Sequence, residues 1–167
     1  MSGSLRTSAV SVIRESVAPV VNSVAAPADG IYKAGDTLTF TVQFSEEVDV
    51  TGTPRIGLVI GSTTRFLNYA SGSGTASLVF SYTLVLADTD NDGVALGTAI
   101  ELNGGTIRDL AGNDLAPLTL ANIPSTAGIK VNLPPVGFND TATAYEGGGV
   151  GNASGGSNAT GNLLGND

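Results

Sequence analysis

Thr37-Leu38-Thr39-Phe40-Thr41-Val42-Gln43-Phe44 is the stretch whose reading decides the fold class of this chain. Leu38, Phe40, Val42 and Phe44 alternate strictly with three threonines and a glutamine. Successive side chains of an extended strand point to opposite faces, so a period of two puts the four apolar groups on one face and the four polar ones on the other. A sheet that is apolar on one face only has to be covered by a second layer, which predicts an antiparallel sandwich.

Working outward from that strand, apolar runs of similar length are separated by turn residues. Strands are expected at residues 20–24, 31–34, 55–60, 64–70, 76–86, 100–102, 106–108 and 128–131. Pro27-Ala28-Asp29-Gly30, Gly35-Asp36, the acidic turn Ser45-Glu46-Glu47, Gly61-Ser62 and the Gly-Ser cluster at 71–74 punctuate them. Within 76–86, Leu78, Phe80, Tyr82, Leu84 and Leu86 share one face. No stretch holds a helical period. The expected fold is all-β, an immunoglobulin-like antiparallel sandwich of about seven to nine strands.

The domain expected to hold this sandwich runs over residues 17–132. Residues 1–16 read as a leader or the end of a preceding repeat. Residues 133–167 read as a linker and the truncated start of a following repeat, with too few large apolar side chains to order themselves.

Composition narrows the chemistry. The 167 residues include no Cys and no His, which excludes disulfides, thiolate nucleophiles, the usual zinc ligands and the usual general base. Fifteen acidic residues against seven basic ones leave a net charge of -8, which argues against nucleic acid as a partner, because that affinity comes from Lys and Arg on phosphates. No run of 18 or more apolar residues is present, so membrane insertion is not expected. Met1-Ser2-Gly3-Ser4 is small and polar where a signal peptide is basic and then apolar. Aromatic residues make up only 5% of the chain and Trp is absent, a poor supply of platforms for a glycosidase cleft, so no enzyme is expected.

The sharpest local motif is Asp88-Thr89-Asp90-Asn91-Asp92-Gly93. Three carboxylates at alternate positions can fold round one hard cation while Gly93 permits the tight turn, and calcium takes six to eight oxygens in this manner. It is not an EF-hand, because position twelve is Ala99 where a bidentate Glu is needed. Backbone carbonyls, Glu101, Asp109 or Asp114 would complete the set. The same spacing also reads as a solvated acidic turn. In Gly104 to Asp114, Asp109 and Asn113 suit a turn and Gly112 supplies a positive backbone dihedral.

The run from Ala28 to Phe40, the Asp88–Gly93 cluster and Asn103 to Asn113 together resemble an Ig-like repeat of giant secreted bacterial adhesins of the RTX type. Pro135 to Ala142 and Gly161 to Asp167 resemble the opening of a VCBS or cadherin-like repeat. The resemblance spans about residues 17–167. It implies export by a type I system to the cell surface, a tandem array of sandwiches active in adhesion and biofilm, and calcium that stiffens the array. It carries the metal role onto Asp88, Asp90 and Asp92, and further onto Asp109, Asn113 and Asp140. Neighbouring repeats and a cell-surface glycan or protein are the implied partners. A carbohydrate-binding sandwich module is the alternative reading.

Overall fold

The computed structural model describes residues 17–132. Expectations for residues 1–16 and 133–167, Asp140 among them, lie outside the described residues. Among the described residues the fold is all-β, with strands β1 (Val21–Ala25), β2 (Gly30–Tyr32), β3 (Thr37–Thr51), β4 (Arg55–Ile60), β5 (Thr63–Ser71), β6 (Thr75–Thr83), β7 (Ala95–Glu101), β8 (Thr106–Asp109) and β9 (Ile129–Val131). Seven of them form one curled antiparallel sheet in the order β1-β3-β6-β5-β4-β7, with β8 paired to the far half of β3. The remaining two, β2 and β9, pair in parallel. The result is sandwich-like: the inward faces of the curled sheet meet in one apolar core, with β9 contributing to it.

Alternation in β3 sets that core. Leu38, Phe40, Val42 and Phe44 are all buried, and the first three lie opposite Tyr82, Phe80 and Leu78 of β6. The ring of Tyr69 meets Phe80 edge-on at 6.1 Å between centroids, a contact worth about 1 kcal/mol beyond area burial. On the outer face the hydroxyl-bearing side chains satisfy one another: Thr37 and Thr83 share a hydrogen bond of 3.0 Å, and Gln43 Nε2 donates to Ser77 Oγ at 2.9 Å.

Three expectations need correction. Ser45-Glu46-Glu47 is not a turn, because β3 runs on to Thr51. Between the pairs Gln43–Ser77 and Val48–Thr75 the strand carries extra residues as a bulge, then changes partner and pairs Val48 to Thr51 with β8. A bulge leaves residues off the ladder, so two carboxylates fit there without being buried. Second, β7 begins at Ala95, well before Ile100. Ala, Gly and Thr signal a strand weakly, and here pairing with β4 overrides propensity. Gly97 suits that pairing because a Cβ there would sit 3.0 Å from the Gly57 carbonyl oxygen. Third, the inward face of 76–86 ends at Leu84. The Leu84 N–H donates to the Asp36 carbonyl, the chain then turns so that the Asp88 N–H reaches the Val85 carbonyl at 2.9 Å, and Leu86 is left 72% exposed.

The last strand is fastened on both edges. On one side β9 pairs with β2, Gly30 N–H donating to Gly128 O and Asn132 N–H to Tyr32 O, each at 2.9 Å. On the other, Asp90 and Val131 exchange both backbone hydrogen bonds, at 2.6 and 2.7 Å, and Val94 N–H donates to Ile129 O at 3.0 Å. Ile129 and Val131 are fully buried. The loop between β6 and β7, which carries the acidic motif, is thereby built into the body of the domain.

Candidate functional site

The acidic motif follows β6 directly, and its first carboxylate turns inward. The Asp88 side chain is fully buried. Its Oδ1 accepts Arg65 Nε at 2.8 Å, and its Oδ2 accepts the Tyr82 hydroxyl and the Val85 N–H, both at 2.9 Å. Arg65 stands opposite Leu58 on the core-facing side of β5, which explains how a guanidinium reaches this depth. Burial pushes the Asp88 carboxyl up, but the hydrogen bonds from Val85, Tyr82 and Arg65 and the Arg65 charge outweigh it, and its pKa lies below the ordinary value. The same contact, after burial itself, raises the Tyr82 hydroxyl.

Asp90 is also buried, and it faces a different set of donors. Its Oδ2 accepts the Gly61 N–H at 2.7 Å from the β4–β5 turn, and its Oδ1 accepts Gly93 N–H at 2.8 Å and Asp92 N–H at 3.2 Å. Burial raises its pKa and these backbone donors lower it, with a net fall. Gly93 has φ +109°, and a Cβ there would lie 2.5 Å from Ala127 Cα, so only glycine fits the turn against that neighbour. The Asp92 residue is exposed.

Asp109, at the end of β8, is closed by its own turn. Oδ1 accepts Asn113 N–H at 2.8 Å and Oδ2 accepts Asn113 Nδ2 at 2.6 Å, while Gly112 takes the positive φ, +94°, expected of it. Burial raises the Asp109 carboxyl and the Asn113 side chain and the turn's N–H groups lower it, again with a net fall. Of the further candidate ligands, Glu101 is paired with Arg55 at 2.9 Å and Asp114 with Arg108 at 2.6 Å.

This arrangement can be tested against calcium. Among the described residues no three carboxylates converge on a common point where a metal would sit. A carboxylate offers about four lone-pair positions, and Asp88 and Asp90 each spend three on protein donors. About one position on each is left for any other partner, while the exposed Asp92 carboxylate stays clear of both sets of donors. As arranged, the Arg65 guanidinium supplies the positive charge that the buried Asp88 needs. Calcium added to EDTA-treated protein is therefore expected to leave the Tm of residues 17–132 within about 1 °C, as read by near-UV circular dichroism. A rise of several degrees would show that the carboxylates rearrange round the ion.

The lowered carboxyls carry a second prediction. A group whose folded pKa lies below its unfolded one stabilises the fold when ionised, and this contribution is complete above the ordinary Asp value of 3.8 and is lost as pH falls through the folded value. The urea midpoint is expected to hold between pH 7 and pH 5 and to drop steeply below about pH 4. A midpoint unchanged at pH 3 would contradict it.

Apart from these turns, an open cleft of about 310 Å³ lies between the β3 bulge and the turn after β8, lined by Glu46, Glu47, Leu110 and Ala111. It has no aromatic wall against which a sugar ring could stack.

Sequence reading missed Arg65 and Gly61 as partners of the motif. A signal for Arg65 was present: it shares the strand face of Leu67, two residues on, and an Arg on an apolar face calls for a buried carboxylate. Nothing local marks Gly61, whose N–H meets Asp90 across 29 residues.

No protein-family model, curated protein or solved structure matches this chain.

Proposed function

We propose that this chain is a structural module of an extracellular, tandem-repeat bacterial surface protein, acting as a spacer and adhesion unit and not as an enzyme. The observation that carries this reading is the parallel pairing of β2 with β9. The chain runs into β2 at that strand's N-terminal end and leaves β9 at its C-terminal end. Because the two strands point the same way, the chain, arriving from β1, enters β2 at one end of the pair and leaves β9 at the other. Units joined in this sense extend into a line, whereas an antiparallel β2–β9 pair would bring both connections to one end. The Asp88 and Asp90 turns serve the same purpose by fastening the exit strand to the body.

The carbohydrate-binding alternative draws less support. Phe66 stands on the outer face of β5, but the Arg55 guanidinium lies 3.7 Å above its ring centre, over the surface a sugar would need.

A three-unit concatemer of the 167-residue chain tests the proposal by small-angle X-ray scattering. The maximum dimension is expected to grow by at least about 30 Å per added unit, roughly the diameter of a domain this size. A concatemer no longer than a compact globule of equal mass would overturn it.

A further inference from the structure

We infer that the module bears tensile load and that its resistance resides in β9, which is locked in shear between β2 and the Asp90–Val94 segment. This deepens the spacer reading and rests on it. Tension applied through the chain ends pulls β1, and behind it β2, toward their N-terminal ends and β9 toward its C-terminal end. For two strands that run parallel, those opposed pulls act along the strand axes, so the strands must slide past each other. Sliding strains the Gly30–Gly128 and Asn132–Tyr32 hydrogen bonds together, whereas a pull across a ladder opens one bond at a time.

The other edge of β9 is loaded in the same sense. Val131 exchanges two backbone bonds with Asp90, and Ile129 accepts from Val94. Asp90 cannot follow β9, because its carboxylate is tied to Gly61 at the β4–β5 turn, and the neighbouring Asp88 is tied to Arg65 on β5 and Tyr82 on β6. Force therefore passes from β9 into three further strands of the main sheet. At the N-terminal side β1 lies along β3, with Val24 opposite Val42 and Ala25 opposite Thr41, and Ser45 N–H donates to Val20 O at 2.9 Å, so β1 too is pulled along its length. Ile129 and Val131 seat two fully buried side chains in the core and must leave it before β9 can move.

Direction is what tests this. The chain has no cysteine, so an introduced one gives a unique handle. In single-molecule force spectroscopy, one preparation is held by its N- and C-termini. A second carries Lys33→Cys, just beyond β2 and exposed, and is held by that cysteine and the C-terminus. In the second case both attachments lie at the same end of the parallel pair, and the ladder peels open. The rupture force through the termini is expected to exceed that through Lys33→Cys by at least about twofold at equal loading rate. Equal forces, or a stronger Lys33→Cys geometry, would overturn the lock. A thermal melt confirms that the Lys33→Cys protein keeps its fold. A compact concatemer in scattering would remove the spacer reading while leaving the directional result to be read separately, so the two can fail independently.

Discussion

Replacing Arg65 by methionine is expected to destabilise the domain by about 3 kcal/mol, a large loss for a change on a strand bordering solvent. Asp88 is the reason. Its side chain has no exposure, while that of Arg65 is 29% exposed, so the carboxylate depends on the guanidinium far more than the reverse. Methionine keeps most of the aliphatic stem and removes the charge, leaving a buried anion with the Tyr82 hydroxyl and Val85 N–H as its remaining donors. The double variant Arg65→Met/Asp88→Asn buries no charge and is expected to recover about 1–2 kcal/mol of the loss. Urea unfolding followed at 25 °C measures both. A single-variant loss under about 1 kcal/mol would mean that water reaches Asp88 well enough to replace Arg65.

Phe80→Ala is expected to cost about 4 kcal/mol, which for a domain of this size lowers Tm by about 15 °C. Phe80 is fully buried, lies directly across from Phe40, and presents its ring to the edge of Tyr69, so truncation leaves a cavity that β-sheet neighbours cannot close. Thr39→Ala, one residue before Phe40 on the same strand, is exposed and is expected to change stability by less than about 0.5 kcal/mol. Comparable losses at positions 80 and 39 would show that the period of two does not separate core from surface.

Those two predictions mark where sequence was and was not informative. Leu38, Phe40, Val42 and Phe44, with Leu78 and Phe80, announce their burial by spacing alone, because a strand forces alternate side chains to opposite faces whatever lies beyond it. Glycine-bearing turns at 61, 93 and 112 were legible for the same local reason: each takes a positive φ that other residues adopt at a cost. Strand ends were less so. Whether Glu46 and Glu47 lie in a turn or a bulge depends on β8 arriving some 60 residues later, and whether Leu86 faces inward depends on a hydrogen bond between Leu84 and Asp36.

The acidic motif shows the limit most clearly. Spacing identified Asp88, Asp90 and Asp92 as a set, and their charge required some compensation. The alternatives, a cation or solvent, were the ones visible in a local window. The fold supplies a third: Arg65 from β5 for Asp88, and backbone N–H groups from two turns for Asp90.

By itself, then, the sequence determined the class of element, the strand faces, the apolar inventory of the core and the chemistry excluded by the absence of Cys and His, all of which follow from local geometry and side-chain type. Only the tertiary structure decided which strands meet, that the second and the last of them run parallel, and which donors face each buried carboxylate. The physical reason is that a hydrogen bond or ion pair needs a partner within about 3 Å, and residues that distant in sequence acquire one only when the whole sheet has closed.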